Sequence, residues 1–235
     1  MANNVILDND LFVILAGADL LDAWIEICSI SSDSVFVLPS LPRILQRGKG
    51  KLCQNHSSFV IKAARLQVEK YKTLPLIEAE KIEIFENIEK IDIGERQIYA
   101  HLLSEDYILA GTNDKKSIQA LYEHPRVAQL IDRKIVCLEQ CLCALIKHKG
   151  WSVVNQKILR LIQNEQLEGK KIDSRLSCIF SQYTPGEDNT RDALISFMTP
   201  LIELYGDVLY PNWRDIDFGS VLPNGGQPKL NRTSL

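Results

Sequence analysis

The segments VILDNDLFVIL (residues 5–15) and YILAGTND (residues 107–114) decide the fold class. Each begins with an apolar run that leads to an aspartate, a pattern typical of a buried parallel strand whose carboxyl end meets a site. Two more apolar runs, at 35–38 and 134–138, also predict strands. Because amphipathic segments separate these runs, we predict an α/β protein with one parallel sheet and helices on both faces.

The segments between the strands carry helix signals. LFVILAGADLLDAWIEICSI (residues 11–30) predicts two helices that separate near Gly17, and SSFVIKAARLQVEKYK predicts an amphipathic helix with Ser57 as its N-cap. The charged segment EAEKIEIFENIEK (residues 78–90) predicts an exposed helix. KKSIQALYEHP predicts a helix that ends at Pro125, and the basic run RGKGK (residues 47–51) predicts a surface loop.

Composition places the chain among proteins with a buried core and no strong overall field. The 235 residues are 46% hydrophobic and 24% charged, with a net charge of −3, so nucleic acid would have to bind through local basic patches or a bound cation. Neither a signal peptide nor a membrane-spanning run is recognisable, so we expect a cytoplasmic location and no membrane partner. The six cysteines are expected to be reduced, and those at 137, 141 and 143 to pack in the core rather than bind zinc.

The domain organisation changes near Gly150, where the strand signals stop. We predict an α/β domain over residues 1–150, followed by a helical extension over 151–212. The segment 213–235 is rich in Gly, Pro and Asn, and it predicts a flexible tail. Trp151 and Trp213 flank the extension and are expected to anchor it to the rest of the protein.

Three acidic residues from separate regions are expected to converge. Asp8 and Asp114 follow two of the strands, and Glu95 begins the helix that precedes the third strand. Ligands bind beyond the carboxyl ends of the strands in an open parallel sheet. Clustered carboxylates repel one another unless protons or a cation neutralise them, and oxygen ligands favour Mg²⁺ or Mn²⁺. Removing one charge, as in Asp8→Asn, is therefore expected to stabilise the metal-free protein while it abolishes metal binding.

Two segments carry a resemblance to a known family. VILDNDLFVIL resembles the opening strand of PIN domains, and IGERQIYAHLLSEDYILAGTNDKKSIQAL resembles their second signature, an acid heading a helix, a strand and a Thr-x-Asp turn. The order and spacing agree over residues 5 to about 146. The resemblance implies a three-layer PIN-like α/β/α fold with a central parallel sheet, extended by C-terminal helices. It also implies a metal-dependent endoribonuclease that cleaves single-stranded RNA.

The resemblance further implies roles for particular residues. Asp8 would bridge the metal ion, with Glu95 and Asp114 completing its shell. The expected supporting residues are Asp10, Asp92, Thr112 and Asn113. The family commonly places another acid in the helix after the second strand, but this chain has Arg43 there and no carboxylate. The basic residues expected to contact phosphate are Arg43, Arg47, Lys49 and Lys51.

Simpler interpretations remain open for each acid. An aspartate after a strand is often only a helix N-cap, and Glu95 could compensate a helix dipole. The alternative function is a catalytically degenerate PIN-like module that docks a partner through its C-terminal helices. Under either function, the expected partners are single-stranded RNA and, beside it, a protein inhibitor, another protein partner or a second copy of the chain.

Overall fold

A five-stranded parallel sheet lies at the centre of the computed structural model, which describes residues 4–28, 30–180, 186–206 and 209–210. The strands are β1 (Asn4–Leu7), β2 (Val35–Val37), β3 (Lys72–Thr73), β4 (Tyr107–Thr112) and β5 (Ile135–Cys137). Their order across the sheet is β3-β2-β1-β4-β5, and every neighbouring pair is parallel. The predicted α/β class with one parallel sheet is therefore confirmed.

Helices cover both faces of this sheet because its strands are apolar on both sides. In β1, Val5 and Leu7 pack in one hydrophobic cluster, whereas Ile6, between them, packs in the other. The helices are α1 (Asn9–Gly17), α2 (Leu21–Ile27), α3 (Ser40–Arg47), α4 (Lys51–Asn55), α5 (Ser58–Val68), α6 (Ala79–Glu83), α7 (Ile93–Leu102), α8 (Lys115–Tyr122), α9 (Pro125–Ile131), α10 (Leu138–Lys149), α11 (Trp151–Leu167), α12 (Ser174–Ile179) and α13 (Glu187–Tyr205). The architecture is consistent with three α/β/α layers.

Local signals placed several elements correctly. The break near Gly17 separates α1 from α2, and the Ser57 side chain caps α5 by accepting a hydrogen bond from the Val60 N–H. Pro125 does follow the end of α8, but it also begins α9, which was not predicted. Proline suits the first position of a helix because its missing N–H would have no intrahelical partner there.

One prediction for the segment between α5 and α7 was wrong, and one strand there was not predicted. Residues 78–90 do not form one exposed helix, since only Ala79–Glu83 is helical and Phe85 and Ile88 are buried. Burial of these two apolar side chains against the sheet stabilises this segment, although the charged residues that flank them predicted exposure. The strand β3 was missed because it has only two residues, both polar and exposed, and its pairing with β2 is all that defines it.

The C-terminal helices share a hydrophobic cluster with the preceding part of the chain. Val154 and Ile158 of α11 and Phe180 after α12 are buried in the same cluster as Leu7 and Trp24. The Trp151 indole N–H donates a hydrogen bond to Thr190 Oγ1 (2.8 Å), which ties α11 to α13. Leu209 then lies beside β5 and bridges to Ile135. Trp213 and the predicted tail 213–235 lie outside the described residues.

Two further expectations concern the packing of the cysteines and membrane-spanning helices. Cys137 and Cys141 are buried among apolar residues, and Cys143 is half-buried, in agreement with a packing role. Burial raises the pKa of the Cys141 thiol well above its ordinary value, which favours the neutral thiol. No helix in the described part of the chain is long and apolar enough to cross a bilayer.

Candidate active site

An open cleft of about 730 Å³ lies at the carboxyl ends of β1 and β4, bordered by α3, α4 and α7. Five acids line it: Asp8, Asp10, Asp92, Glu95 and Asp114. The three predicted metal ligands and two of the four predicted supporting residues therefore lie in one cleft. They reach it from three directions, the ends of β1 and β4 and the start of α7.

Asp8 is the most buried of these acids, at 8% exposure, and joins β1 to β4. Its Oδ1 accepts a hydrogen bond from the Leu11 N–H (2.6 Å) as the N-cap of α1. Its Oδ2 accepts from Thr112 Oγ1 (2.5 Å) and from the Asn113 N–H (2.9 Å). The predicted supporting residues Thr112 and Asn113 thus fix the Asp8 carboxylate rather than line the cleft themselves.

Asp114 is the N-cap of α8 and leaves one oxygen uncommitted. Its Oδ1 accepts hydrogen bonds from the Lys116 N–H (2.7 Å) and the Ser117 N–H (3.3 Å). The Asp114 side chain is exposed to the cleft, and its own N–H donates to Thr112 Oγ1 (3.1 Å). Capping fixes the orientation of the carboxylate while its second oxygen stays available to a ligand.

Glu95 and Asp92 form a capping box at the start of α7. The Glu95 N–H donates to Asp92 Oδ1 (2.8 Å), and the Asp92 N–H donates to Glu95 Oε2 (2.9 Å). Asp8, Asp92 and Asp114 are therefore all N-caps, as the simpler interpretation predicted for Asp8 and Asp114. It does not exclude a site, because all three caps also line the same cleft.

The electrostatics of the cleft favour partial protonation of its acids. Burial raises the pKa of Glu95 to about 8, and the nearby charges of Asp114 and Asp92 add to that shift. Burial likewise raises the pKa of Asp8 to about 6, although its three hydrogen bonds oppose the shift. Partial burial also raises the pKa of Asp10, and the electrostatic interaction with His56 opposes this rise. A bound cation would relieve this unfavourable crowding of negative charge.

A side chain from the C-terminal extension braces the loop between β4 and α8. Asn113 Oδ1 accepts a hydrogen bond from Arg175 Nη2 (2.7 Å), and Arg175 Nη1 contacts Glu139 Oε1 (3.1 Å). Glu139 is buried, at 1% exposure, and it also pairs with Lys115 Nζ (2.8 Å). Burial alone would raise the pKa of Asp173, but the Arg175 guanidinium holds it below its ordinary value. Helix α12 thereby reaches the loop that carries Asn113.

The predicted phosphate contacts divide into two pairs. Arg43 and Lys51 line the same cleft as the acids, and Lys51 lies close enough to Asp10 to interact with its charge. Arg47 and Lys49 are exposed at the end of α3 and in the turn before α4, and they do not line it. Arg43, in the helix after the second strand, thus presents a guanidinium to the cleft.

Polar residues that were not predicted also line the cleft, among them Asn9, Ser40 and Gln97. Asn9 Oδ1 is buried and accepts no hydrogen bond from any described residue. Its position next to Asp8, at the start of a helix that follows a strand, was the available signal. Gly111 has a packing role, since a Cβ there would lie 2.6 Å from Leu11 Cδ2.

The residues of the cleft fit a hard divalent cation in the type of donor they offer. They supply carboxylate oxygens and the unpartnered amide oxygen of Asn9, which suit Mg²⁺ or Mn²⁺ better than a soft metal. However, among the described residues no three His, Cys, Asp or Glu side chains are already grouped to hold a metal ion. Binding of a cation by three carboxylates would therefore require side-chain movement in the cleft.

Comparisons of this chain with protein-family models, with curated proteins and with solved structures find no match. Function must therefore be inferred from the chemistry of the cleft, with the PIN resemblance of the two motifs as an independent expectation.

Proposed function

We propose that this protein is a PIN-like, metal-dependent endoribonuclease that cleaves single-stranded RNA in the cleft between α3, α4 and α7. The observation that carries the proposal is the convergence of Asp8, Glu95 and Asp114 on one open cleft at the carboxyl edge of the sheet. Fold alone does not imply function, so the residues of the cleft must supply the chemistry.

Asp8, Glu95 and Asp114 would hold the Mg²⁺ or Mn²⁺ ion. Such an ion, when bound, makes a water molecule more acidic and screens the charge of a phosphodiester. Asp8 would keep a fixed orientation because Leu11, Thr112 and Asn113 all donate to it. Glu95, with its pKa raised to about 8, can hold a proton near neutral pH and release it when a cation binds.

Arg43 and Lys51 would hold the phosphates of the substrate beside the acids of the cleft. Both are cationic and exposed, and they line the same space as the acids. A phosphodiester needs positive charge near the carboxylates, because these would otherwise repel it. Arg43 would thus contribute to phosphate binding from the helix in which PIN domains, by the resemblance, commonly carry another acid.

Asp114→Asn tests the proposal with little disturbance of the fold. Asparagine caps helices about as well as aspartate, so α8 should keep its cap while the cleft loses a charge. We expect Mn²⁺-dependent cleavage of single-stranded RNA to fall by at least about a hundredfold, with an unchanged melting temperature. Asp33→Asn, an exposed acid outside the cleft, is the matched control and should retain full activity.

A second candidate function is a non-catalytic PIN-like binding module. Two observations favour it: α3, the helix after the second strand, contains Arg43 but no acid, and no three metal-ligating side chains are grouped in the described residues. An apolar groove of about 590 Å³ beside α13, lined by Trp151 and Leu194, offers a surface for a partner. Wild-type protein that shows neither Mn²⁺-dependent cleavage nor a Mn²⁺-induced thermal shift would favour this alternative.

A further inference from the structure

A basic surface extends beyond the acidic cleft, around α3, α4 and α5. Within the described part of the chain, seven cations here lie near no carboxylate at ion-pair distance: Arg43, Arg47, Lys49, Lys51, Lys62, Arg65 and Lys170. Because the whole chain carries a net charge of −3, this surface departs in sign from the rest of the molecule. Unpaired cations on one surface attract a polyanion.

Part of this surface is a second groove, of about 460 Å³, on the other side of α4. Lys62, Arg65 and Lys170 line it. Helix α4 is the wall between the two spaces, since its Lys51 and Leu52 line the acidic cleft whereas Cys53 lines the basic groove. An α-helix is only about 10 Å wide, so a short length of polymer can reach both sides.

Backbone carbonyls hold two of the three cations that line the groove. Arg65 Nε donates to the Leu45 carbonyl (2.8 Å), and Lys170 Nζ donates to the Gln54 carbonyl (3.0 Å). Gly48 lies in the left-handed region (φ +62°), and a Cβ there would approach Arg65 Nη2 to 3.4 Å. The glycine turn therefore brings the end of α3 close to the guanidinium without blocking it.

The acid that borders the groove, Glu168, already accepts hydrogen bonds from within the protein. Glu168 accepts hydrogen bonds from the Ser58 N–H (2.8 Å) and from Ser58 Oγ (2.6 Å), and these hydrogen bonds lower its pKa. Glu165 similarly accepts from the Ser57 N–H (2.7 Å). These hydrogen bonds hold both carboxylates at the N-terminus of α5. No ion pair joins either of them to Lys62, Arg65 or Lys170, although Glu168 lies close enough to Lys170 to interact with its charge.

We infer that this groove binds the phosphodiester backbone of the RNA strand whose scissile segment lies in the acidic cleft, an inference that rests on the proposed function. The RNA strand would cross α4 and contact Lys51 in the acidic cleft and Lys62 in the basic groove. None of the described residues that line the groove is a Phe, Tyr or Trp, and the imidazole of His56, which does line it, is held by Glu165 Oε1 at 2.9 Å. Contact through phosphates alone is tolerant of sequence.

The test measures binding separately from cleavage. Fluorescence anisotropy in EDTA follows a labelled single-stranded RNA of about 15 nucleotides, with wild-type protein and Lys62→Glu. Lys62 is exposed and makes no ion pair with any described residue, so the variant should fold normally by circular dichroism. We expect the affinity for RNA to fall about tenfold. The plot of the logarithm of the association constant against the logarithm of the salt concentration has a negative slope, and its magnitude should fall by about 0.7. Arg126→Glu, an exposed charge reversal on α9, should change affinity less than about twofold.

Three outcomes would overturn the inference. The first is equal RNA affinity of wild type and Lys62→Glu, and the second is an equal loss of affinity for a trinucleotide that fills only the acidic cleft. The third is binding to phosphatidylserine vesicles without binding to RNA. The proposed catalysis can fail independently of the groove. Lys62-dependent RNA binding without any Mn²⁺-dependent cleavage would support the groove and reject the nuclease. Cleavage that is insensitive to Lys62→Glu, with unchanged affinity, would support the nuclease and reject the groove.

Discussion

At the scale of single residues, the acids of the cleft combine a structural and a proposed chemical role. Asp8 and Asp114 cap helices through particular oxygens, and both line the cleft. A capping carboxylate is oriented by backbone N–H groups, which is useful for a ligand whose geometry must be fixed. The two roles can be separated only by substitutions that preserve the cap and remove the charge.

Asp8→Asn should behave differently from Asp114→Asn. Asp8 accepts three hydrogen bonds, two of them from backbone N–H groups that cannot reverse their polarity. An asparagine offers one acceptor oxygen, so its NH₂ would face a donor. We therefore expect a loss of about 1–2 kcal/mol in the free energy of unfolding, measured by urea denaturation. This replaces the expectation from sequence that Asp8→Asn would stabilise the protein, and unchanged or increased stability would contradict it.

Glu95 should make stability depend on pH. Its pKa is raised from 4.5 to about 8 in the folded protein, so the folded state binds the proton more tightly than the unfolded state. The stabilisation is complete below the unfolded pKa and is lost as pH rises through the folded pKa. We expect Glu95→Gln, which preserves the capping box, to be more stable than wild type by about 1–2 kcal/mol at pH 8, and equal to it near pH 4.

The measurement for Glu95→Gln is urea denaturation across that pH range. The expected stability difference is smaller than the pKa shift alone would give, because the Glu95 carboxyl is partly solvated. Glu86→Gln, an exposed acid outside the cleft, serves as the control and should follow the wild-type profile. A difference between Glu95→Gln and wild type that stays constant from about pH 4 to about pH 8 would reject the raised pKa.

At the scale of elements, α12 acts on the site through Arg175. This side chain connects the buried Glu139 of α10 with Asn113, whose N–H donates to Asp8. Replacing Arg175 would leave Glu139 with Lys115 as its remaining cation among the described residues, and Glu139 Oε2 already has no hydrogen-bond partner. A buried carboxylate is costly when it lacks compensation.

Arg175→Ala should therefore lower the free energy of unfolding by about 3 kcal/mol, measured by urea denaturation. Arg191→Ala provides the comparison, because Arg191 pairs with Glu187 on the exposed surface of α13 and should cost less than about 0.5 kcal/mol. Equal effects of the two substitutions would show that the Arg175 network contributes no more than a surface ion pair.

At the scale of the whole molecule, the C-terminal helices complete the core on one face of the sheet. Val154 and Ile158 are fully buried, and the Leu161 side chain lies 3.0 Å from where a Cβ on Gly17 would be. Ending the chain at residue 150 would expose the apolar surface of α1 and α10 that these residues cover.

We expect a chain of residues 1–150 to lose cooperative thermal unfolding, followed by circular dichroism. Removal of residues 220–235 should leave the melting temperature nearly unchanged, because that segment is rich in Gly, Pro and Asn. A cooperative transition of the 1–150 chain near the wild-type temperature would show that the C-terminal helices contribute little to the stability of the core.

The sequence by itself determined the α/β class, the positions of the four longer strands and the capping residue Ser57. These depend on local patterns, since an apolar run that ends in an acid, or a serine before an amphipathic run, carries its signal within a few residues. The same patterns indicated Asp8, Glu95 and Asp114, because strand ends meet at one edge of a parallel sheet.

Only the tertiary structure decided the features that depend on long-range contacts. The pairing that defines β3, the burial of Phe85 and Ile88, and the brace from Arg175 to Asn113 join residues whose local sequence carries no sign of the partner. The structure also showed that the cleft acids are caps and that a basic groove lies behind α4. Burial and partner choice depend on what packs nearby, and short-range sequence patterns do not encode that.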